Sequence, residues 1–153
     1  MYYICLDIGG TSVKTAITDK KGNIYEQSSI NIPKTLYEFT KSIFEYIKNV
    51  KVQYSVLGIA VSAPGSVDCK TGIIGGVSAI PYIHGPNWKK NLNTEFSLPV
   101  SIENDANCAA FSEVYFGKYN FIKDMAFFVC GSGVGGAIVN DALPIWRIRL
   151  YVS

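Results

Sequence analysis

Three short stretches of this chain carry residue types that can do chemistry. The first, "LDIGGTSVK", sets an acid, Asp7, in an alternating apolar run and follows it with Gly9, Gly10 and Thr11. A carboxylate among apolar residues is costly unless something binds it. Two adjacent glycines let a backbone approach another group closely. Successive N–H groups in such a turn make a cradle for anions, to which Thr11 adds a hydroxyl and Lys14 a positive charge. A carboxylate beside a polyphosphate can hold Mg²⁺ through its water shell. The same residues also suit a plain hairpin in which glycine supplies positive φ, Asp7 caps the turn and Lys14 is merely solvated.

The second stretch, "GSGVGG", contains Gly131, Ser132 and Gly133. It matches G-x-G-x-x-G, but a dinucleotide fingerprint needs a helix after the glycines, whereas Val134, Ala137, Ile138 and Val139 read as strand. It also echoes the first stretch: Gly131-Ser132 fall on Gly10-Thr11, and Ala137-Ile138 fall on Ala16-Ile17. Two glycine hairpins facing each other would grip the phosphates of one nucleotide from both sides. No Walker-type G-x-x-x-x-G-K-[ST] occurs.

The third stretch, "SIENDANCAAFSE", places Asn104 and Asp105 where a strand gives way to a helix. Both residue types are preferred helix caps, and an acid in the first turn suits the helix dipole. Ligands in α/β sheets bind at the carboxyl ends of strands. An acid there can take the proton of a substrate hydroxyl as its oxygen attacks phosphorus, and phosphoryl transfer needs little covalent help besides. The loop Ala63-Pro64-Gly65 ends another strand and can bring backbone close to the same substrate. His84, the single histidine, has no nearby serine or cysteine nucleophile and reads as a loop residue. Trp88 and Tyr82 suit either loop packing or the border of a sugar.

Elements must position these residues, and the pattern supplies them. Residues 2–8, 12–18 and 24–32 are β-rich runs joined by turns at Gly9-Gly10 and Lys21-Gly22-Asn23, an antiparallel meander. Leu36, Phe39, Ile43, Phe44, Ile47 and Val50 recur at helical spacing, predicting an amphipathic helix over about 35–50. "SVLGIAV" has the look of a strand buried within a sheet. Beyond it lie hairpin signals at Asp68–Gly72, a short helix near Trp88–Phe96, a strand in "LPVSIE" and a helix from Asn104 to Tyr115. Two strands surround the last glycine turn.

The 153 residues are 48% hydrophobic and 17% charged, the profile of an ordinary globular protein. A net charge of +2 without a basic run argues for neither nucleic acid nor a membrane surface as partner. The four cysteines, Cys5, Cys69, Cys108 and Cys130, form no C-x-x-C, so reduced thiols in the cytoplasm are expected over a disulfide framework or zinc site. No signal peptide or membrane helix is read.

Together these residues resemble the ROK family (repressor, open reading frame, kinase), sugar kinases and regulators of the actin-like ATPase superfamily. "LDIGGTSVKTAITDKKGNI" is similar to the family's opening phosphate motif and "VSAPGSVD" to its substrate loop. "LPVSIENDANCAAFSEVYFG" resembles its catalytic segment, and "VCGSGVGGAIVND" its second phosphate motif, with Ser132 where Thr is usual. "SAIPYIHGPNW" is similar to members acting on glucosides or related hexoses. The resemblance implies an α/β fold: a ribonuclease H-like, actin-like ATPase lobe with a mixed sheet, an opening antiparallel meander and flanking helices. It implies ATP-dependent phosphoryl transfer to a sugar hydroxyl, with Asp105 as base and Asn104 and Gly65 at the sugar. Gly9, Gly10, Thr11, Lys14, Gly131, Ser132 and Gly133 would face the ATP phosphates, and Asp7 would serve the Mg²⁺ shell.

The same resemblance implies a first lobe over 1–120, the start of a second over 121–141, and a tail over 142–153 that matches nothing in the family. An E-x-G-H segment and a Cys/His zinc site would follow in family members, and the lobes would close over the sugar. The expectation is therefore an interrupted kinase, inactive by itself, its tail loosely packed or swapped into a second copy as a homodimer. Sugar and ATP are the expected partners. The competing reading is the sugar-binding effector domain of a ROK-type repressor. Such members carry a winged helix-turn-helix ahead of the Asp-Gly-Gly motif, which this chain reaches by Asp7.

Overall fold

The computed structural model describes residues 1–118, 120–130, 134–141 and 143–148, the last six and Val134 by their backbone alone. The chain divides into two compact units, Met1–Glu103 and Asn104–Ser153.

The first unit opens with β1 (Tyr2–Ile8), β2 (Ser12–Thr18) and β3 (Ile24–Asn31), the expected antiparallel meander. Its β2–β3 turn is built on Gly22 at φ +81° and on Asp19. The Asp19 carboxylate accepts from the side chain of Asn23, from the backbone of Lys21 and Asn23, and from the Tyr25 hydroxyl. These donors, the Asn23 side chain foremost, hold its carboxyl near pKa 2.

After the meander come α1 (Leu36–Gln53) and β4 (Val56–Ala63), then the small hairpin of β5 (Ser66–Asp68) and β6 (Ile73–Gly75). A 3₁₀ turn at Pro81–Ile83, α2 (Trp88–Phe96) and β7 (Val100–Asn104) complete the order. The main sheet runs β3-β2-β1-β4-β7, with β1 and β4 parallel.

The alternation in β1 and β2 decides which face is core. Ile4, Leu6 and Ile8 of β1 and Val13, Thr15 and Ile17 of β2 are buried. Helix α1 brings Phe39, Ile43, Ile47 and Val50 to the same core, a stripe at the 3.6-residue period. Trp88 of α2 meets Phe39 edge-on at 5.5 Å. Its indole N–H donates to Ile83 O at 2.8 Å, so Trp88 belongs to the core. Tyr82 likewise packs inward on Phe39, its hydroxyl donating to Pro33 O.

Helix α1 starts at an N-cap, Thr35, whose hydroxyl also binds the Glu38 side chain. Thr35 Oγ1 accepts from Glu38 N at 3.2 Å and donates to Glu38 Oε2 at 2.9 Å. We expect Thr35→Ala to destabilise the first unit by about 1 kcal/mol, read by urea denaturation, because it orphans an amide at the helix start.

The second unit consists of α3 (Asp105–Phe116), β8 (Met125–Cys130), β9 (Val134–Asn140) and β10 (Leu143–Ile148). Ala106, Ala110 and Val114 of α3 are buried at i, i+4, i+8, and Ala110 and Val114 cluster with Ala137 and Val139. A Cβ on Gly135 would stand 3.2 Å from Ala106 Cβ, so this glycine lets helix and strand meet. The sheet order is β10-β9-β8. The segment expected as a loose tail thus contains a strand, antiparallel to β9. Asp141, at φ +49°, turns the chain, and its N–H donates to Asp124 Oδ1 at 2.8 Å. A β-rich run directly after such a turn pairs back on its neighbour.

Candidate functional site

Asp7 is the odd acid of β1, and the sheet explains how it is tolerated. It sits one register step off Leu6 and Ile8, on the face away from the core, and its side chain is 49% exposed. Across the sheet it pairs with Lys14 of β2 on one side and Ser62 of β4 on the other. Ser62 Oγ donates to Asp7 Oδ1 at 2.8 Å, and Lys14 Nζ stands 4.0 Å from Oδ2. The lysine is 78% exposed, so the pair is a weak one in water. A half-exposed carboxylate with one oxygen hydrogen-bonded and the other beside solvent fits a Mg²⁺ ion held through water, the usual manner for that ion. Ser62 was not singled out from the sequence. It lies inside the quoted substrate-loop motif, but only the β1–β4 register shows that it meets Asp7.

The Gly9-Gly10-Thr11 turn follows directly. Neither glycine adopts positive φ, which removes the hairpin explanation for them. What they supply is space. A Cβ on Gly9 would come within 3.2 Å of Ser12 O, and one on Gly10 within 3.2 Å of Ala79 Cβ. The Gly9 N–H closes the turn onto Ser12 O at 2.9 Å, while Gly10 and Thr11 are exposed.

Because β1 and β4 are parallel and Asp7 pairs with Ser62, the Gly9–Thr11 turn and the Ala63-Pro64-Gly65 loop leave the sheet at the same end. In such sheets that is the ligand-binding end. Gly65 has φ +86°, and a Cβ on it would lie 2.7 Å from Gly75 O and 3.2 Å from His84 Cε1. Only glycine fits. Among the described residues no group of three or more metal-type side chains clusters.

Asn104 and Asp105 open the second unit. Asn104 is the N-cap of α3: its Oδ1 accepts from Ala106 N at 3.0 Å and Asn107 N at 3.3 Å. Asp105 Oδ1 accepts from Ala106 N at 2.9 Å, and the residue is exposed. The capping role read from the sequence is real for Asn104, and Asp105 adds charge at the positive end of the helix. Gly131, Ser132 and Gly133 lie outside the described residues. The strand β9 that follows them, in place of a helix, rules out the dinucleotide fingerprint. No described helix is long and apolar enough to cross a membrane.

Comparison with known proteins places the chain in a family. The chain is 37% identical over 141 residues to a β-glucoside kinase of Listeria monocytogenes, covering 92% of this chain and 47% of that protein. A ROK family glucokinase from Streptomyces griseus, solved with glucose and AMPPNP, superposes with a TM-score of 0.84 at 27% identity, over 95% of this chain and 46% of that one. A ROK family protein from Streptococcus pneumoniae, solved with sucrose, gives a TM-score of 0.82 at 36% identity, over 95% and 48%. The chain therefore spans about half the length of the relatives it matches. The family model for ROK proteins matches residues 3–146, and the chain belongs to the ROK family.

Proposed function

We propose that this chain forms the sugar side and phosphate turns of an ATP-dependent sugar kinase, acting on a β-glucoside or related hexose. The observation that carries the reading is Asp105: an exposed carboxylate, first residue of a helix, directly after a sheet strand and next to Asn104, the helix cap. In the reaction, Asp105 takes the proton of the sugar hydroxyl. That oxygen forms its bond to the γ-phosphorus as the bond to ADP breaks. Asn104 and Gly65 hold the sugar. Gly9 shapes the turn through its own N–H bond to Ser12 O; backbone N–H groups at Gly10 and Thr11, with the Lys14 ammonium, receive the phosphates, and Gly131, Ser132 and Gly133 receive them from the second turn. Bound Mg²⁺ neutralises phosphate charge, and Asp7, steadied by Ser62, would hold its water shell.

Two of the relatives named above are sugar kinases, one of them solved with an ATP analogue, and this supports the assignment. A chimera joining this chain to the second half of the Listeria β-glucoside kinase tests it. ATP-dependent phosphorylation of glucose or a β-glucoside is expected, and its absence from a folded chimera overturns the reading. The 153-residue polypeptide alone should show no detectable turnover in the same coupled assay. Phosphoryl transfer rests on positioning and preorganised charge, and half of the relatives' length is outside this chain. Turnover by the purified polypeptide would prove that expectation wrong.

The phosphate turn has its own test. Gly10→Val puts a branched side chain where backbone must approach an anion and where Ala79 already stands at contact distance. Affinity for a non-hydrolysable ATP analogue should fall by about tenfold or more, a loss of at least about 1.4 kcal/mol. Unchanged affinity by calorimetric titration removes the cradle.

A further inference from the structure

His84 reads from the sequence as a loop residue, and the structure gives it a more definite place. Its ring stands against Gly65: the space a Gly65 side chain would need is taken by Gly75 O at 2.7 Å and His84 Cε1 at 3.2 Å. The ring is tied at the adjoining atom, where His84 Nε2 lies 2.8 Å from Ser78 Oγ. The backbone is tied as well, His84 N to Pro81 O at 3.3 Å and Gly85 N to Ile74 O at 3.2 Å. His84 Nδ1 is buried and has no hydrogen-bond partner among the described residues.

These contacts select a tautomer. Ser78 Oγ accepts from Ile80 N at 3.2 Å and lies 3.4 Å from Ile80 O, to which it donates. A hydroxyl has one proton and two lone pairs. If Nε2 carries the ring proton, it donates to Ser78 Oγ, and all three contacts of the hydroxyl are satisfied together. Nδ1 is then left with an unmet lone pair. The opposite tautomer takes the Ser78 proton away from Ile80 O and buries an unpaired N–H at Nδ1, the more costly orphan.

We propose that His84, with Nε2–H clamped by Ser78, is the positioning residue that sets the Ala63-Pro64-Gly65 loop. Its functional weight rests on Gly65 bordering the sugar, as read above. The imidazole forms a fixed wall, and the glycine with φ +86° is the one residue that passes between it and the β6 carbonyl.

His84 is the only histidine in the chain, so long-range ¹H–¹⁵N correlation spectra of the 153-residue protein report on it without ambiguity. A protonated, pyrrole-like Nε2 and a pyridine-like Nδ1 are expected; the reverse assignment or an even mixture overturns the proposal. Ser78→Ala should shift ring nitrogens toward a tautomer mixture and move the Gly65 amide resonance well beyond its linewidth. His84→Ala should move that resonance too, whereas His84→Gln, which can place an amide N–H near the Nε2 position, should restore it. A Gly65 resonance unmoved in Ser78→Ala overturns the proposal even if His84→Ala fails to fold. These spectra need no sugar, so a failed turnover assay in the chimera counts against the kinase reading alone.

Discussion

Asp105→Asn lowers sugar phosphorylation in the kinase chimera by about 10²–10⁴-fold, the usual cost of losing a general base, while sugar affinity stays within about tenfold. The substitution separates chemistry from capping because asparagine is itself well suited to a helix start. The α3 cap belongs to Asn104 Oδ1, which takes the N–H groups of Ala106 and Asn107, and it survives the change. What the helix loses is one negative charge at its N-terminus, about 0.3–1 kcal/mol at an exposed position. A large fall in kcat with a melting temperature within a few degrees of the parent is therefore the signature of a base. Near-normal turnover reduces Asp105 to a helix-dipole partner.

Gly72→Ala produces the largest stability loss expected in the first unit, about 3 kcal/mol or more. Gly72 sits in the β5–β6 turn at φ +80°, where an alanine is strained whatever the surroundings. The surroundings are also closed. A Cβ would lie 2.2 Å from Lys89 Cβ, 2.7 Å from Lys89 N and 3.1 Å from Lys89 Cα, so no side-chain rotation relieves the clash. The turn must lift from α2, which breaks the Trp88 N–H to Gly72 O bond at 3.2 Å and loosens a core tryptophan. For a unit of this size, Met1–Glu103, each kcal/mol moves Tm by about 4–8 °C, giving a fall of roughly 12–24 °C by calorimetry. Gly85→Ala is the control. Gly85 has φ +97° but nothing within 4 Å, so backbone strain alone acts and about 1 kcal/mol is expected. Equal losses at the two positions would show that the Lys89 contact does not matter.

Much of this arrangement was legible in residue order. Alternation in residues 2–8 and 12–18 placed β1 and β2, because strand side chains repeat every second residue and one face is core. The stripe from Phe39 to Val50 placed α1, and the polar pair Asn104-Asp105 placed the start of α3. Three features were not legible. The spacing demand at Gly9 and Gly10 comes from Ser12 O and from Ala79, the latter far along the chain, and a positive φ was the wrong local guess. Ser62 meets Asp7 through a parallel register that no local pattern encodes. The pairing of β10 with β9 follows from a turn at Asp141, where a non-glycine residue takes positive φ. Trp88 and Tyr82 looked equally suited to a sugar or a core, since aromatic side chains serve both. Burial of the indole on Phe39 decides for the core.

The parallel pairing of β1 with β4 also sets a schedule for synthesis. β1 is the middle strand of its sheet, yet its parallel partner β4 comes after β2, β3 and α1 in the chain, pairing from Tyr2↔Val56 to Asp7↔Ser62. At about 5–20 residues per second, several seconds separate the emergence of the two strands. During that interval β2 can close on β1 and β3 on β2 as local hairpins, but Ile4, Leu6 and Ile8 still lack the α1 stripe that covers them, and one long edge of β1 stays open. A nascent chain with an apolar face and an unpaired edge is the species that chaperones bind and that aggregates when they do not. Slowing elongation between β3 and β4 should therefore lower the soluble yield of this protein more than slowing it after β4.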